Sequence, residues 1–112
     1  MAEKKKAGFS VIGYEQLAGS EPGTSVIKMS AKRFGQPAKR LTIASSGLSV
    51  TTALIRNLSR NKTIDYEISR INRLPTKNQT RIHTAALLYP GDYEITLTIT
   101  GKIPDNLADL IS

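Results

Sequence analysis

The chain has no cysteine, no tryptophan and a single histidine, His83. Without cysteine there are no disulfide staples, no thiolate zinc sites and no thiol nucleophile, a composition that fits a reducing compartment. With one histidine, a His-Glu-x-x-His zinc hydrolase motif cannot be written. No Gly-x-Ser-x-Gly elbow occurs, and neither Gly-x-x-x-x-Gly-Lys-Ser/Thr nor Gly-x-Gly-x-x-Gly is present. Asp65 and Glu67 alternate on one expected strand among basic neighbours, a pattern of surface ion pairs rather than of an acid–base couple. No catalytic residue, cofactor site or metal site is therefore predicted. His83 is expected at the polar rim of a strand. No apolar run approaches the ~18 residues of a membrane span. The basic start, Lys4 to Lys6, is not followed by an apolar stretch of signal-peptide length. These absences together predict a cytoplasmic protein that does not enter a membrane.

Aromatic residues are also scarce, two Phe and four Tyr, so a core must be built from Ile, Leu, Val and Ala. A length of 112 residues with 39% hydrophobic content suits one domain. That domain is expected over residues 8–112, behind a flexible basic segment at 1–7. The dominant period is two. Ile27, Met29 and Ala31 alternate with Lys28, Ser30 and Lys32, and Leu41 and Ile43 alternate with Arg40 and Thr42. Leu48, Val50, Thr52 and Leu54 give a third strand, Ile64, Tyr66 and Ile68 a fourth, and Arg81 to Thr84 a fifth. Tyr93, Ile95, Leu97 and Ile99 against Glu94, Thr96, Thr98 and Thr100 make the most regular strand.

Turn chemistry separates these runs. Ser20–Gly23, Gly35–Pro37, Ser45–Gly47, Leu74–Asn78 and Tyr89–Asp92 are rich in Gly, Pro, Asn and Ser. The pattern predicts an all-β fold, an antiparallel sandwich of about six to eight short strands. A short helical turn is expected within Pro104–Ile111. Residues 1–23 carry less pattern. Asn57, Asn61 and Asn78 open Asn-x-Ser/Thr triplets and are expected to be polar turn residues.

The net charge of +7 is unevenly placed. Residues 28–81 hold twelve Lys and Arg against Asp65 and Glu67, whereas residues 82–112 hold Lys102 against Glu94 and three aspartates. A concentrated positive segment favours an anionic partner. Lys28, Lys32, Arg33, Lys39 and Arg40 bracket the Gly35–Pro37 turn, and Arg56, Arg60 and Lys62 occupy the next connection. These eight residues are the candidate contacts to RNA or a ribosome, through phosphates rather than bases, because few aromatics accompany them.

A family resemblance covers Arg40 to Leu107. Leu88-Tyr89-Pro90-Gly91-Asp92-Tyr93-Glu94-Ile95-Thr96-Leu97-Thr98-Ile99-Thr100-Gly101-Lys102-Ile103 resembles the Leu-x-x-Gly-x-Tyr-x-Leu-x-Ile-x-Phe-x-Gly-x-Ile segment of the N-terminal β-domain of aminopeptidase N-type zinc metallopeptidases. Arg40–Ile43 with Gly47–Ala53 is similar to the middle of that domain, and Asp105 and Leu107 fall where the family carries Asp and Leu or Met. The family's histidine after the second strand is replaced by Ala44-Ser45-Ser46, and its thermolysin-like domain with His-Glu-x-x-His is absent. The resemblance implies a non-catalytic sandwich acting as a scaffold or protein-interaction domain. It is also compatible with a detached N-terminal domain of such an enzyme. A protein partner or larger assembly follows from either.

Overall fold

The computed structural model describes residues 8–59, 62–64 and 70–112, with residues 62–64 described in backbone only. The expected flexible segment 1–7, most of the Ile64–Ile68 strand, Asn61 and Arg60 lie outside the described residues. Within them the chain forms β1 (Gly8–Ala18), β2 (Thr24–Phe34), β3 (Ala38–Ile43), β4 (Ser49–Asn57), β5 (Lys62–Ile64), β6 (Arg70–Leu74), β7 (Gln79–Leu88) and β8 (Gly91–Thr100). A 3-10 turn at Pro75–Lys77 and a short helix α1 (Leu107–Leu110) complete the order. The strands make two antiparallel sheets, β1-β2-β8-β4-β5 and β3-β7-β6, so the all-β sandwich expected from the alternation is the fold observed.

The apolar phases of both sheets meet in one core. Ile27, Met29, Ile55, Tyr93, Ile95, Leu97 and Ile99 come from the larger sheet, and Leu41, Ile43 and Ile82 from the smaller, all at most 2% exposed. The regular β8 lies at the centre of its sheet, flanked by β2 and β4, so its inward residues are buried most completely. Phe9 meets Tyr93 edge to face, with ring centroids 5.4 Å apart. The Tyr93 hydroxyl donates to the Tyr89 carbonyl at 2.7 Å and accepts from Asn57 Nδ2 at 3.3 Å, which satisfies the polar ends of a buried ring. Asn57 is thus a buried strand residue, not the exposed turn residue its triplet suggested. Asn78 does take the turn role: it is left-handed (φ 51°), and its side-chain oxygen accepts from the Ser46 amide.

Irregularities in pairing decide several faces. In β4 the register to β8 shifts between Val50 and Thr52, and the Thr51 hydroxyl donates to the Thr98 carbonyl at the shift. One extra residue reverses the side-chain phase. Val50, Ala53 and Ile55 therefore point inward, and Leu54, expected on the same face as Val50, is 40% exposed. A second shift in β1, between Val11 and Gly13, leaves Ile12 protruding. This explains why residues 8–18 read poorly as a strand: the bulge breaks the alternation, and most of β1 lies beyond the cover of the smaller sheet.

The C-terminal residues close one edge. Ile111 bridges Ile43, the Thr42 and Ser112 amides exchange bonds with each other's carbonyls at 2.9 and 2.8 Å, and the Ala44 amide donates to Leu110 at 2.8 Å. The helical turn expected within Pro104–Ile111 is present as the single turn α1, and it buries Leu107.

Candidate anion-binding face

The outer face of the three-stranded sheet is built from the polar phase of β3, β7 and β6. Because Leu41 and Ile43 must face the core, Arg40 and Thr42 face out, and the same alternation turns Arg81 and His83 outward around Ile82. Register completes the pattern. Arg40 stands opposite His83, which stands opposite Arg70, and Thr42 stands opposite Arg81, which stands opposite Asn72. At a strand spacing of about 4.8 Å, the Arg40 and Arg70 backbones are roughly 10 Å apart, with Arg81 about 7 Å along β7 from His83. Lys39 is exposed beside Arg40. A concave basin of about 480 Å³ opens at the β3 edge of this face, walled by Arg33, Arg40, Thr42, Gln79 and Arg81 together with Gly8 and Ser112; His83 and Arg70 are not among its walls.

The electrostatics are one-sided. β3, β6 and β7 contain no Asp or Glu. Arg81 is steadied by donating from Nε to Gln79 Oε1 at 3.2 Å, a neutral acceptor that leaves its charge uncompensated. Desolvation by burial, with the positive fields of Arg70, Arg40 and Arg81 behind it, pushes the His83 pKa below its ordinary value. Such a surface attracts anions, and an anion seated beside His83 relieves the repulsion.

The eight residues singled out from the sequence do not form one patch. Lys28, Lys32 and Arg56 lie on the outer face of the five-stranded sheet, and each faces an acid across the register: Glu15 opposite Lys28, Asp92 opposite Lys32, and Glu94 opposite Arg56. The last pair approaches to 4.0 Å. Opposed charges of this kind leave little net field. Arg40 belongs to the basic face, and Lys39 is exposed at the register shift between Ala38 and Arg40. Arg60 and the Lys62 side chain lie outside the described residues.

Arg33 departs most from expectation. Its side chain turns into the end of the sandwich and is 3% exposed. There it donates from Nε to the Leu88 carbonyl and from a terminal nitrogen to the Gln36 carbonyl, both at 2.8 Å. Its guanidinium also sits 5.3 Å from the centre of the Phe9 ring. Burial lowers its pKa from the ordinary value while nearby Tyr93 opposes that shift. The cause of its withdrawal is strand phase: Arg33 shares the inward phase with Ile27, Met29 and Ala31, and at the strand end its planar fork reaches the buried Leu88 carbonyl and the part-buried Gln36 carbonyl. It ties β2 in one sheet to β7 in the other.

Arg70 and Arg81 were not among the sequence candidates. Their signal was period two within a basic strand, Arg81-x-His83 and Arg70-x-Asn72, and only the pairing of β6 and β3 on either side of β7 makes it a patch. Arg73 shares β6 but bends to the Ser46 carbonyl, which it meets at 2.7 and 3.0 Å. His83 sits half-buried on the outer face, as its strand phase implied.

The residues that carry the aminopeptidase resemblance, Leu88 to Ile103, form β8 and its flanks, where Tyr93, Ile95, Leu97 and Ile99 supply packing. Among the described residues, no three His, Asp or Glu side chains gather as a metal site. No helix among them is long and apolar enough to cross a membrane. No known family model matches the chain, and no curated protein matches it significantly.

Proposed function

We propose that this chain is a non-catalytic binding module that lies on the phosphate backbone of RNA through the outer face of the β3-β7-β6 sheet. The observation that carries the reading is the row Arg40–His83–Arg70 with Arg81 beside it, on three strands that contain no carboxylate. β3, β6 and β7 contain no Phe, Tyr or Trp, so the face offers charge to phosphates and no ring on which a base could stack. Binding is then sequence-tolerant and governed by counterion release. The five-stranded sheet serves as the scaffold against which the smaller sheet packs.

The test is a fluorescence-anisotropy titration of a labelled single-stranded RNA at salt from about 50 to 200 mM. Arg40→Ala, Arg70→Ala and Arg81→Ala should each weaken binding and reduce the salt slope by about 0.7. Lys28→Ala and Lys32→Ala should leave both nearly unchanged, since those lysines oppose acids. Undetectable binding at the lowest salt, or equal losses from the two sets of variants, would sink the proposal.

A further inference from the structure

The row Arg70–His83–Arg40 crosses the basic face and ends at the β3 edge, where the basin of about 480 Å³ opens. Its size is that of a small-molecule site, for which ~300–1,000 Å³ is usual. Thr42 stands opposite Arg81, with Arg40 two residues before Thr42 on β3 and Gln79 two residues before Arg81 on β7. All four take the outward phase, so their polar groups share one face. Beyond β3 the basin is walled by Ser112, which exchanges amide–carbonyl bonds with Thr42 at 2.9 and 2.8 Å. Gly8 packs behind it, where a Cβ would stand 3.3 Å from the Ser112 main chain.

The donors are set in advance. Arg81 Nε donates to Gln79 Oε1 at 3.2 Å. Arginine has no acceptor, so the amide oxygen of Gln79 faces it and the amide nitrogen is left as a donor. The same bond leaves the terminal nitrogens of Arg81 for a ligand. Thr42 adds a hydroxyl and Arg40 a second guanidinium. Among the described residues no Asp or Glu lines the basin, and neither Arg40 nor Arg81 forms an ion pair. The acid at the wall is the main-chain carboxylate of Ser112, one oxygen of which is held by the Thr42 amide, and two guanidiniums outweigh it. Arg33 forms the inner wall, where the Leu88 and Gln36 carbonyls hold its fork, so it is not counted among the ligands.

We propose that the basin is a phosphomonoester site, filled by the terminal phosphate of an RNA strand whose internal phosphates lie along the row Arg70–His83–Arg40. This assignment rests on the RNA reading and names the part of the strand that is held. A phosphomonoester carries about −1.5 to −2 charge at pH 7 and three acceptor oxygens. Two guanidiniums flanked by a hydroxyl and an amide donor suit that group, since charge-assisted bonds from arginine to phosphate are the strong ones. A diester within the strand carries a single charge and must leave the site on both sides. The wall at Ser112 and Gly8 stands beyond β3, on the side away from β7, so a strand that crosses from β6 over β7 meets a closed end there. Among the described residues no aromatic side chain lines the basin, so the terminal base is not selected.

Three forms of one internally labelled oligonucleotide, 5′-phosphorylated, 3′-phosphorylated and hydroxyl at both ends, test this by anisotropy titration. One phosphorylated form should bind about tenfold tighter than the hydroxyl form, the gain expected of charge-assisted bonds. Thr42→Val and Gln79→Leu remove neutral donors and no charge, so a gain from added charge alone would survive in both. Seating in the basin instead requires each variant to cut the gain to about threefold or less. Lys28→Ala, on the other sheet, should keep it whole. Equal affinity of the three forms, or a gain that both donor variants retain in full, overturns the proposal and leaves the RNA reading in place. If no form of RNA binds, the RNA reading falls. Shifts of the Thr42 and Gln79 amide resonances on titration with ribose 5-phosphate would then support the phosphomonoester site with a free sugar phosphate as its source, and their absence would overturn it.

Discussion

Arg33 and Arg40 are seven residues apart and look alike in the sequence, yet the structure gives them opposite jobs, and Arg33→Met separates them. The substitution keeps a flexible side chain of similar length but removes the donors to Leu88 and Gln36. Hydrogen bonds to a charged group contribute about 1.5–3 kcal/mol each, and a carbonyl left buried without a donor costs about 1–3 kcal/mol. Losing the contact to the Phe9 ring adds roughly 0.5–2 kcal/mol. Against these stands the relief of no longer burying a guanidinium, which is several kcal/mol. The balance is a net destabilisation of about 2–4 kcal/mol, read as a urea midpoint lowered by ~1–2 M with the slope unchanged. For a chain of this size the melting temperature falls by ~8–16 °C. Arg40→Met, on the exposed face, should stay within about 0.5 kcal/mol of the parent. RNA affinity should divide the other way, with Arg33→Met unchanged well below its melting temperature and Arg40→Met weakened. If Arg33→Met lowered RNA binding as much as Arg40→Met while leaving stability intact, the assignment of Arg33 to the interior clamp would be wrong.

Three further outcomes follow from the structure. The pKa of His83 is depressed by burial and by Arg70, Arg40 and Arg81, so the unfolded chain takes up a proton before the folded one does. Stability from this source is fully present above the ordinary histidine pKa of about 6.5 and is lost as pH falls below it; His83→Gln should flatten that part of the stability curve. RNA phosphates oppose the depression, so affinity should rise between about pH 7.5 and 5.5 in the parent and not in His83→Gln; parallel profiles in a titration at both pH values would refute this. In β4, Ile55→Ala should cost about 2–5 kcal/mol in urea unfolding and Leu54→Ala less than about 1 kcal/mol. Equal costs would mean that the bulge does not set the phase of that strand.

Local pattern carried the fold class because burial of one sheet face imposes period two directly on the sequence. β8 and β2 alternate without interruption, and Ser-Glu-Pro-Gly, Gly-Gln-Pro and Pro-Gly mark the turns that lead into β2, β3 and β8. β1 escaped that reading because its bulge and sparse cover remove the requirement that produces alternation. The phase of β4 escaped it because the extra residue at Thr51 has no compositional mark. The absence of cysteine, the single histidine and the surplus of positive charge are also properties of composition, and they narrowed the chemistry before any fold was known.

Which cations share a surface was decided by strand order and register. Counting charge over residues 28–81 put Lys28, Arg33 and Arg40 in one candidate group. Pairing then sent Lys28 to a face where Glu15 opposes it, drew Arg33 into the interior, and set Arg40 beside His83 and Arg70 from strands some thirty to forty residues away in the chain. Net charge is additive along a chain, so the sequence determines it alone. A field at a surface depends on which charges lie within a few ångströms, and only the tertiary structure brings them there.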